Sequence, residues 1–321
     1  MPRLTLLLPL ICWTAAASEY HTSVTPLANE DILSPCQYEL TILRPDRAIH
    51  SVWVMFDRGM DFVHFYENAD VRKLAGRFQI ALMLPRHCRS KEHEDMIVEP
   101  SQGIGRALFT ALDQFASITG HTELASAGLI VMGWSGAGSL VARLPGYRPD
   151  RILASIDYAP GQYIPLGMDT IHLNDEAMRS PQLIIANGAD KVCGTRQPYE
   201  FFRRHWERGA PWTFVIQNRT PHCCLQNAQT LILAWMEAWL VRGWKPRPGG
   251  PVGFIELEPT DLRDEWKAPM SNIHAAVVSD AKQSLSANQL PAGWLISRKF
   301  AREWRAFAQR ADPPAVWKPW A

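Results

Sequence analysis

The stretch Leu129-Ile130-Val131-Met132-Gly133-Trp134-Ser135-Gly136-Ala137-Gly138 decides how this chain is read. A short apolar run stops at a glycine, presents one serine, and restarts with small residues suited to opening a helix. This is the pattern of a strand-to-helix elbow that holds a serine hydroxyl exposed on a sharp turn. Gly133 leaves room for the strained backbone, and Ala137 or Gly138 lets the new helix pack closely on the strand. The stretch departs from G-x-S-x-G by one methyl, with Ala137 in place of the last glycine. The competing reading is a glycine-rich loop that only turns a corner or that holds a phosphate at a helix N-terminus. Against the phosphate, no lysine follows as in a phosphate loop and no G-x-G-x-x-G follows the strand.

Outward from the elbow, apolar runs alternate with helical patterns. Tyr38 to Leu43 and Ser51 to Phe56 are expected strands, parted by the turn Arg44-Pro45-Asp46-Arg47. Asp61 to Gly76 is an expected helix, and Phe78 to Leu84 a buried strand. Gly105 to Ile118 carries Leu108, Leu112 and Phe115 at helical spacing. After the elbow helix come strands at Ile152 to Ile156, Gln182 to Ala186 and Trp212 to Ile216. Helices are expected at Pro198 to Arg208, where His205 beside Arg203 and Arg204 reads as solvated, and at Ala228 to Val241. Such alternation predicts a mostly parallel sheet flanked by helices on both faces.

The N-terminal segment is expected to be a secretion signal over residues 1–17. Arg3 gives a positive start, Leu4 to Trp13 an apolar stretch too short to span a bilayer, and Ala15-Ala16-Ala17 a small-residue cleavage site. The expected compartment is outside the cytoplasm, secreted or periplasmic. No later segment reads as transmembrane. The formal net charge of +1 gives no basis for nucleic-acid or membrane-surface binding. The main unit is expected over residues 18–245. Past the Pro/Gly-rich stretch Lys245-Pro246-Arg247-Pro248-Gly249-Gly250-Pro251, residues 246–321 read as a linker and C-terminal extension whose one good helix is Ser297 to Gln309. That extension holds too little apolar sequence to stand alone, so packing on the main unit is expected.

Two further loops carry residues that could serve Ser135. A serine hydroxyl needs a base to take its proton, and the base needs an acid to orient it. In a parallel sheet these groups belong in loops at the carboxyl ends of strands. Ala186-Asn187-Gly188-Ala189-Asp190 places an acid on a turn just past a strand, and Gln217 to Cys223 places His222 just before the last helix. Asp157, past the preceding strand, is the rival acid. The order serine, acid, histidine matches what the fold requires.

With these three loops the chain, from about Tyr38 to Leu240, resembles the α/β-hydrolase superfamily. More distantly it is similar to the exported feruloyl-esterase and polyhydroxybutyrate-depolymerase groups, through the secretion signal, Trp134 and the cysteines near the acid and the histidine. The resemblance implies Ser135 as nucleophile, His222 as base and then acid, and Asp190 as the orienting carboxylate, in a carboxylic ester hydrolase that uses no cofactor and no metal. It implies an oxyanion hole from the Gly136 N–H and a second donor at Met60 or Gly59, where family members often carry His-Gly and this chain carries Arg58-Gly59. Trp134 and Tyr158 are the expected walls of an open cleft for a small-molecule or polymeric ester. Rival functions are a peptidase or amidase of the same fold and a non-catalytic binding protein that keeps it.

The same resemblance orders the cysteines that remain after the signal, Cys36, Cys88, Cys193, Cys223 and Cys224. It brings Cys36 beside Cys88, and a bridge from Cys193 to Cys223 or Cys224 would tie the acid loop to the histidine loop. A metal site built from His87, Cys88, His93 and His222 to Cys224 lacks the usual ligand spacings. Asn218-Arg219-Thr220 is a glycosylation sequon, expected to be unused because a glycan there would crowd His222.

Overall fold

The computed structural model describes residues 16–56, 60–92, 99–161, 171, 173–246, 252–254, 266–269 and 291–310. Among the described residues ten strands form one sheet, in the spatial order β1-β2-β4-β3-β5-β6-β7-β8-β12-β11. Its strands are β1 Ser18–Val24, β2 Cys36–Ile42, β3 Ser51–Phe56, β4 Ile80–Arg86, β5 Gly128–Trp134, β6 Ile152–Tyr158, β7 Gln182–Asn187, β8 Thr213–Gln217, β11 Trp266–Pro269 and β12 Pro291–Leu295. A separate pair joins β9 Trp244–Pro246 to β10 Val252–Phe254. From β4 through β3, β5, β6 and β7 to β8 every pairing is parallel, and both flanks are antiparallel. The expected mostly parallel sheet flanked by helices is therefore the fold.

Its central strands are apolar without alternation because both faces are covered. Leu129, Ile130, Val131 and Met132 of β5 are all fully buried. Helices α1 Met60–Glu67, α2 Ala69–Arg77, α7 Gln229–Gly243 and α8 Arg298–Gln309 pack into the core on one face. Helices α3 Ile104–Thr119 and α4 Gly136–Tyr147 pack on the other. The short α5 Asp175–Met178 and α6 Arg196–Trp206 enclose a third cluster beside α4. The single helix expected over Asp61 to Gly76 is two, because the Asn68 side chain accepts from the N–H groups of Asp70 and Val71 and restarts the chain as a capped helix.

Residues 291–310 join the sheet and the core. Gly293, at φ 133°, lies so close to β8 that a Cβ would come within 2.6 Å of Thr213 Cα, and Thr213 Oγ1 donates to Trp294 O at 2.6 Å. On α8, Phe300, Trp304 and Phe307 form one buried face, and the Trp304 indole donates to Phe214 O at 3.0 Å. Burying side chains of this size contributes roughly 1.5–3 kcal/mol each.

Cys36 and Cys88 are disulfide-bonded, as expected from the antiparallel pairing of β2 with β4. Two other expectations need correction. His205 is not solvated: it is 1% exposed, its Nδ1 lies 2.8 Å from Phe201 O, and its ring packs against both Phe201 and Trp212. Pro198, Phe201, Phe202 and His205 follow one another at helical spacing, so the histidine belongs to the buried stripe of α6. The bridge from Cys193 to the histidine loop is not formed either. Cys223 is bonded to Cys224, and Cys193 is a free thiol.

Candidate active site

The parallel register brings the carboxyl ends of β5, β6, β7 and β8 side by side, with Trp134 opposite Tyr158 and Asn187 opposite Gln217. Each expected loop leaves the sheet at this edge. Ser135 leaves β5 with φ 58° and ψ −124° and caps α4. A non-glycine residue held at positive φ is strained by about 1–3 kcal/mol and persists only where its surroundings fix it. Here the fixing is by backbone. Ser135 N donates to Tyr158 O at 3.1 Å, its carbonyl accepts from Gly161 N at 3.1 Å, and the same carbonyl starts α4 through Ser139 N. A Cβ on Gly133 would collide with the Ala137 carbonyl, and one on Gly138 would meet Pro160 Cβ at 2.9 Å. Ala137 itself is fully buried in the core, which is why a methyl is accommodated at that position. Gly136 is the first residue of α4, where a backbone N–H has no partner within the helix.

Asp190 and His222 are brought together. The Asp190 carboxylate accepts from the His222 ring, Oδ2 to Nδ1 at 2.6 Å, and its other oxygen accepts from Val192 N at 2.8 Å and Cys193 N at 3.0 Å. Burial alone would raise the Asp190 pKa, but these three donors outweigh it and hold the carboxyl below its usual value. For His222 burial works downward, and the Asp190 hydrogen bond together with the Cys193 sulfur reverses it, raising the imidazole to about 9. In the neutral ring, donation from Nδ1 leaves Nε2 as the nitrogen with the free lone pair. Nε2 lies 4.0 Å from Cys193 Sγ, and no hydrogen bond joins it to Ser135 Oγ. The indole of Trp134 lies over the His222 ring, centroids 5.2 Å apart at 34°. The rival acid, Asp157, is fully buried within β6, opposite Gly133.

Tyr158 is not a cleft wall. It is 1% exposed, and its hydroxyl reaches under the histidine loop, 2.6 Å from Cys223 O and 3.1 Å from Gln217 Oε1. Asn187 Nδ2 completes the support, donating to Pro221 O at 2.7 Å and Cys223 O at 3.1 Å. The backbone adds Ala189 N to Thr220 O at 2.9 Å and Gly188 N to Gln217 O at 2.8 Å. The sequence carries no sign of this support: Tyr158 reads as a cleft wall and Asn187 as part of the turn that leads to Asp190. Cys193 lies near the histidine, as its position just past Asp190 implies, but forms no bridge. The Asp190 turn instead aims its sulfur at the His222 ring, close enough that a Cβ on Gly161 would collide with it.

Of the oxyanion candidates, Met60 opens α1, while Gly59 and the Met60 side chain lie outside the described residues. The sequon nitrogen, Asn218 Nδ2, donates to Ala308 O at 2.7 Å and is thereby engaged with α8. Among the described residues, no helix is long and apolar enough to cross a membrane.

No family model and no curated protein sequence matches this chain. Among solved structures, a protein of Bacteroides ovatus described as a dipeptidyl aminopeptidase IV superposes with a TM-score of 0.51 at 12% identity, over 74% of this chain and 37% of that one. This chain thus spans little more than a third of that protein. A ferulic acid esterase superposes at 0.48 with 12% identity, over 66% of this chain and 93% of the other. An S-formylglutathione hydrolase from Agrobacterium tumefaciens gives 0.48 at 12% identity, over 69% and 94%. The chain has the α/β-hydrolase fold.

Proposed function

We propose that this chain is an exported serine hydrolase that cleaves carboxylic esters. The observation that carries the proposal is one edge of the sheet, where a strained serine elbow stands beside a histidine already oriented by a buried carboxylate. His222 Nε2 takes the Ser135 proton as the hydroxyl attacks the ester carbonyl. The Gly136 N–H, with a second donor from Gly59 or Met60, receives the developing oxyanion; each such donor is worth roughly 2.7–4 kcal/mol. The imidazolium then protonates the leaving alcohol, and the acyl group stays on Ser135. In the second half His222 activates water to release the acid and restore the serine. Asp190 holds the ring in the tautomer that exposes Nε2 and stabilises its charge. Trp134, packed on the His222 ring, is the natural wall for an acyl or aryl group. Neither step calls on a cofactor.

A peptidase or amidase would use the same groups, so substrate choice decides between the two. The test is hydrolysis of short- and medium-chain p-nitrophenyl esters and of matched anilides, beside Ser135→Ala and His222→Ala. We expect ester cleavage in the wild type and a loss of about 10⁴-fold or more in each variant. A folded wild type that neither turns over esters nor reacts at Ser135 with a phosphonate would transfer the reading to a binding protein.

Export rests on Arg3, the apolar run Leu4 to Trp13 and Ala15 to Ala17, and it is compatible with a Cys36–Cys88 bridge. The expected N-terminus of the exported protein lies near Ser18, where β1 starts.

A further inference from the structure

Three groups of different chemistry converge at the acid and histidine loops. One ligand atom from each of Asp190, Cys193 and His222 lies within 4.8 Å of the others. A thiol, an imidazole and a carboxylate form the donor set that borderline-soft divalent cations select, zinc foremost. The distances suit such an ion. Zinc bonds of about 2.3 Å to sulfur and 2.0–2.1 Å to nitrogen, at the tetrahedral angle, place the two donor atoms about 3.6 Å apart. Cys193 Sγ and His222 Nε2 are 4.0 Å apart, so a small rotation of the thiol closes the site. Both side chains are partly exposed, which gives an ion a way in.

Resting on the esterase reading, we propose that Cys193 and His222, backed by Asp190, form an inhibitory site for a divalent zinc-class cation. Both Asp190 oxygens already accept hydrogen bonds, one from the His222 ring and one from the Val192 and Cys193 backbone. The carboxylate therefore stands behind the imidazole and orients it toward the metal, an arrangement typical of zinc-bound histidines. Binding forms one metal–sulfur and one metal–nitrogen bond, with water in the remaining positions. The thiol proton, and any proton on Nε2, leaves to solvent, and no electron is transferred. The ion takes the lone pair that must accept the Ser135 proton, so metal binding and acyl transfer exclude one another.

The test titrates Zn²⁺ into the chelator-stripped full chain while ester hydrolysis is followed, and separately titrates Co²⁺ while absorption is recorded. Expected are a loss of at least about tenfold in rate at micromolar Zn²⁺, reversed by chelator, and a thiolate-to-cobalt charge-transfer band. In Cys193→Ser the band disappears and inhibition, taken relative to that variant's own metal-free rate, needs at least about tenfold more Zn²⁺. Alkylating Cys193 in the folded wild type, and following the band alone, gives the same readout without a substitution. An active wild type that shows no band, or a Cys193→Ser chain as Zn²⁺-sensitive as the wild type, overturns the proposal. A chain that hydrolyses no ester but shows the band, in wild type and in Ser135→Ala alike, overturns the esterase reading and keeps the metal site.

Discussion

The two halves of the candidate site are held by different means. The Ser135 elbow is held by backbone: three main-chain hydrogen bonds around one strained residue, and glycines at 133 and 138 because no Cβ fits there. The His222 loop is held largely by side chains reaching from neighbouring strands, the Tyr158 phenol and the Asn187 amide, which grip the carbonyls of Pro221 and Cys223. A backbone-built element is specified by a few adjacent residues and fails as fold. A side-chain-built element is specified at long range and fails as geometry, with the fold intact.

Asp190→Asn should separate these two kinds of failure most sharply. The amide is nearly isosteric and still accepts from Val192 and Cys193, but it favours the wrong imidazole tautomer. A loss of about 10⁴-fold in kcat with little change in thermal midpoint is expected. Equal losses of activity and stability would mean that the carboxylate acts mainly as a fold element. Gly133→Ala should do the reverse, forcing the new methyl into the Ala137 carbonyl. Overpacking of this kind costs about 1–3 kcal/mol or more, read as a lower unfolding midpoint in denaturant. If Gly133→Ala unfolds like the wild type, the elbow is less rigid than its contacts imply.

The same contrast explains what the sequence revealed. The elbow, the G-x-x-D turn and the histidine before the last helix are each written within a few residues, and strands at Ser51–Phe56 and Ile152–Tyr158 follow from continuous apolar runs. Asp190 and Asp157 both follow apolar runs, and the G-x-x-D turn favours Asp190; the structure agrees, pairing Asp190 with His222 and burying Asp157 opposite Gly133. β1 escaped notice because its residues from Ser18 to Ser23 alternate between exposed and half-buried at the sheet edge. β12 escaped because it is short and turns on Gly293. His205 was legible in principle: its spacing from Pro198, Phe201 and Phe202 marked the buried stripe, and the flanking arginines misled. The grip of Tyr158 on Cys223, 65 residues away, has no local signature at all.

Tyr158→Phe tests that grip at lower amplitude. The ring stays packed while the Cys223 carbonyl loses the nearer of its two donors, the Asn187 amide remaining, and Gln217 Oε1 loses the phenol; a hydrogen bond of this kind is worth about 0.5–1.5 kcal/mol. Because misplacement by about 1 Å can cost up to 10²-fold, kcat should fall by about 10- to 100-fold with KM nearly unchanged. A variant that loses stability but keeps kcat would reduce Tyr158 to packing alone.

The smallest expected effect lies in the pH profile, measured with chelator present. As the proposed general base His222 works only when neutral, and it is raised to about 9 by Asp190 and Cys193 against the opposing effect of burial. In the free enzyme kcat/KM should therefore climb from neutral pH and level off above about 9. Cys193→Ser removes one of the two raising influences and should move that limb to lower pH, so the variant gains relative activity near neutrality. Stability runs the other way. A histidine raised above its ordinary 6.5 stabilises the fold fully below that value and loses the contribution as pH rises through about 9. Asp190, held below its ordinary 3.8, stabilises above that value and loses its contribution as pH falls below it. On the proposed reading, full activity should thus come only where the Asp190–His222 ion pair has begun to discharge. If activity levels off near pH 6.5 in both wild type and Cys193→Ser, the sulfur beside Nε2 has no hold on the base.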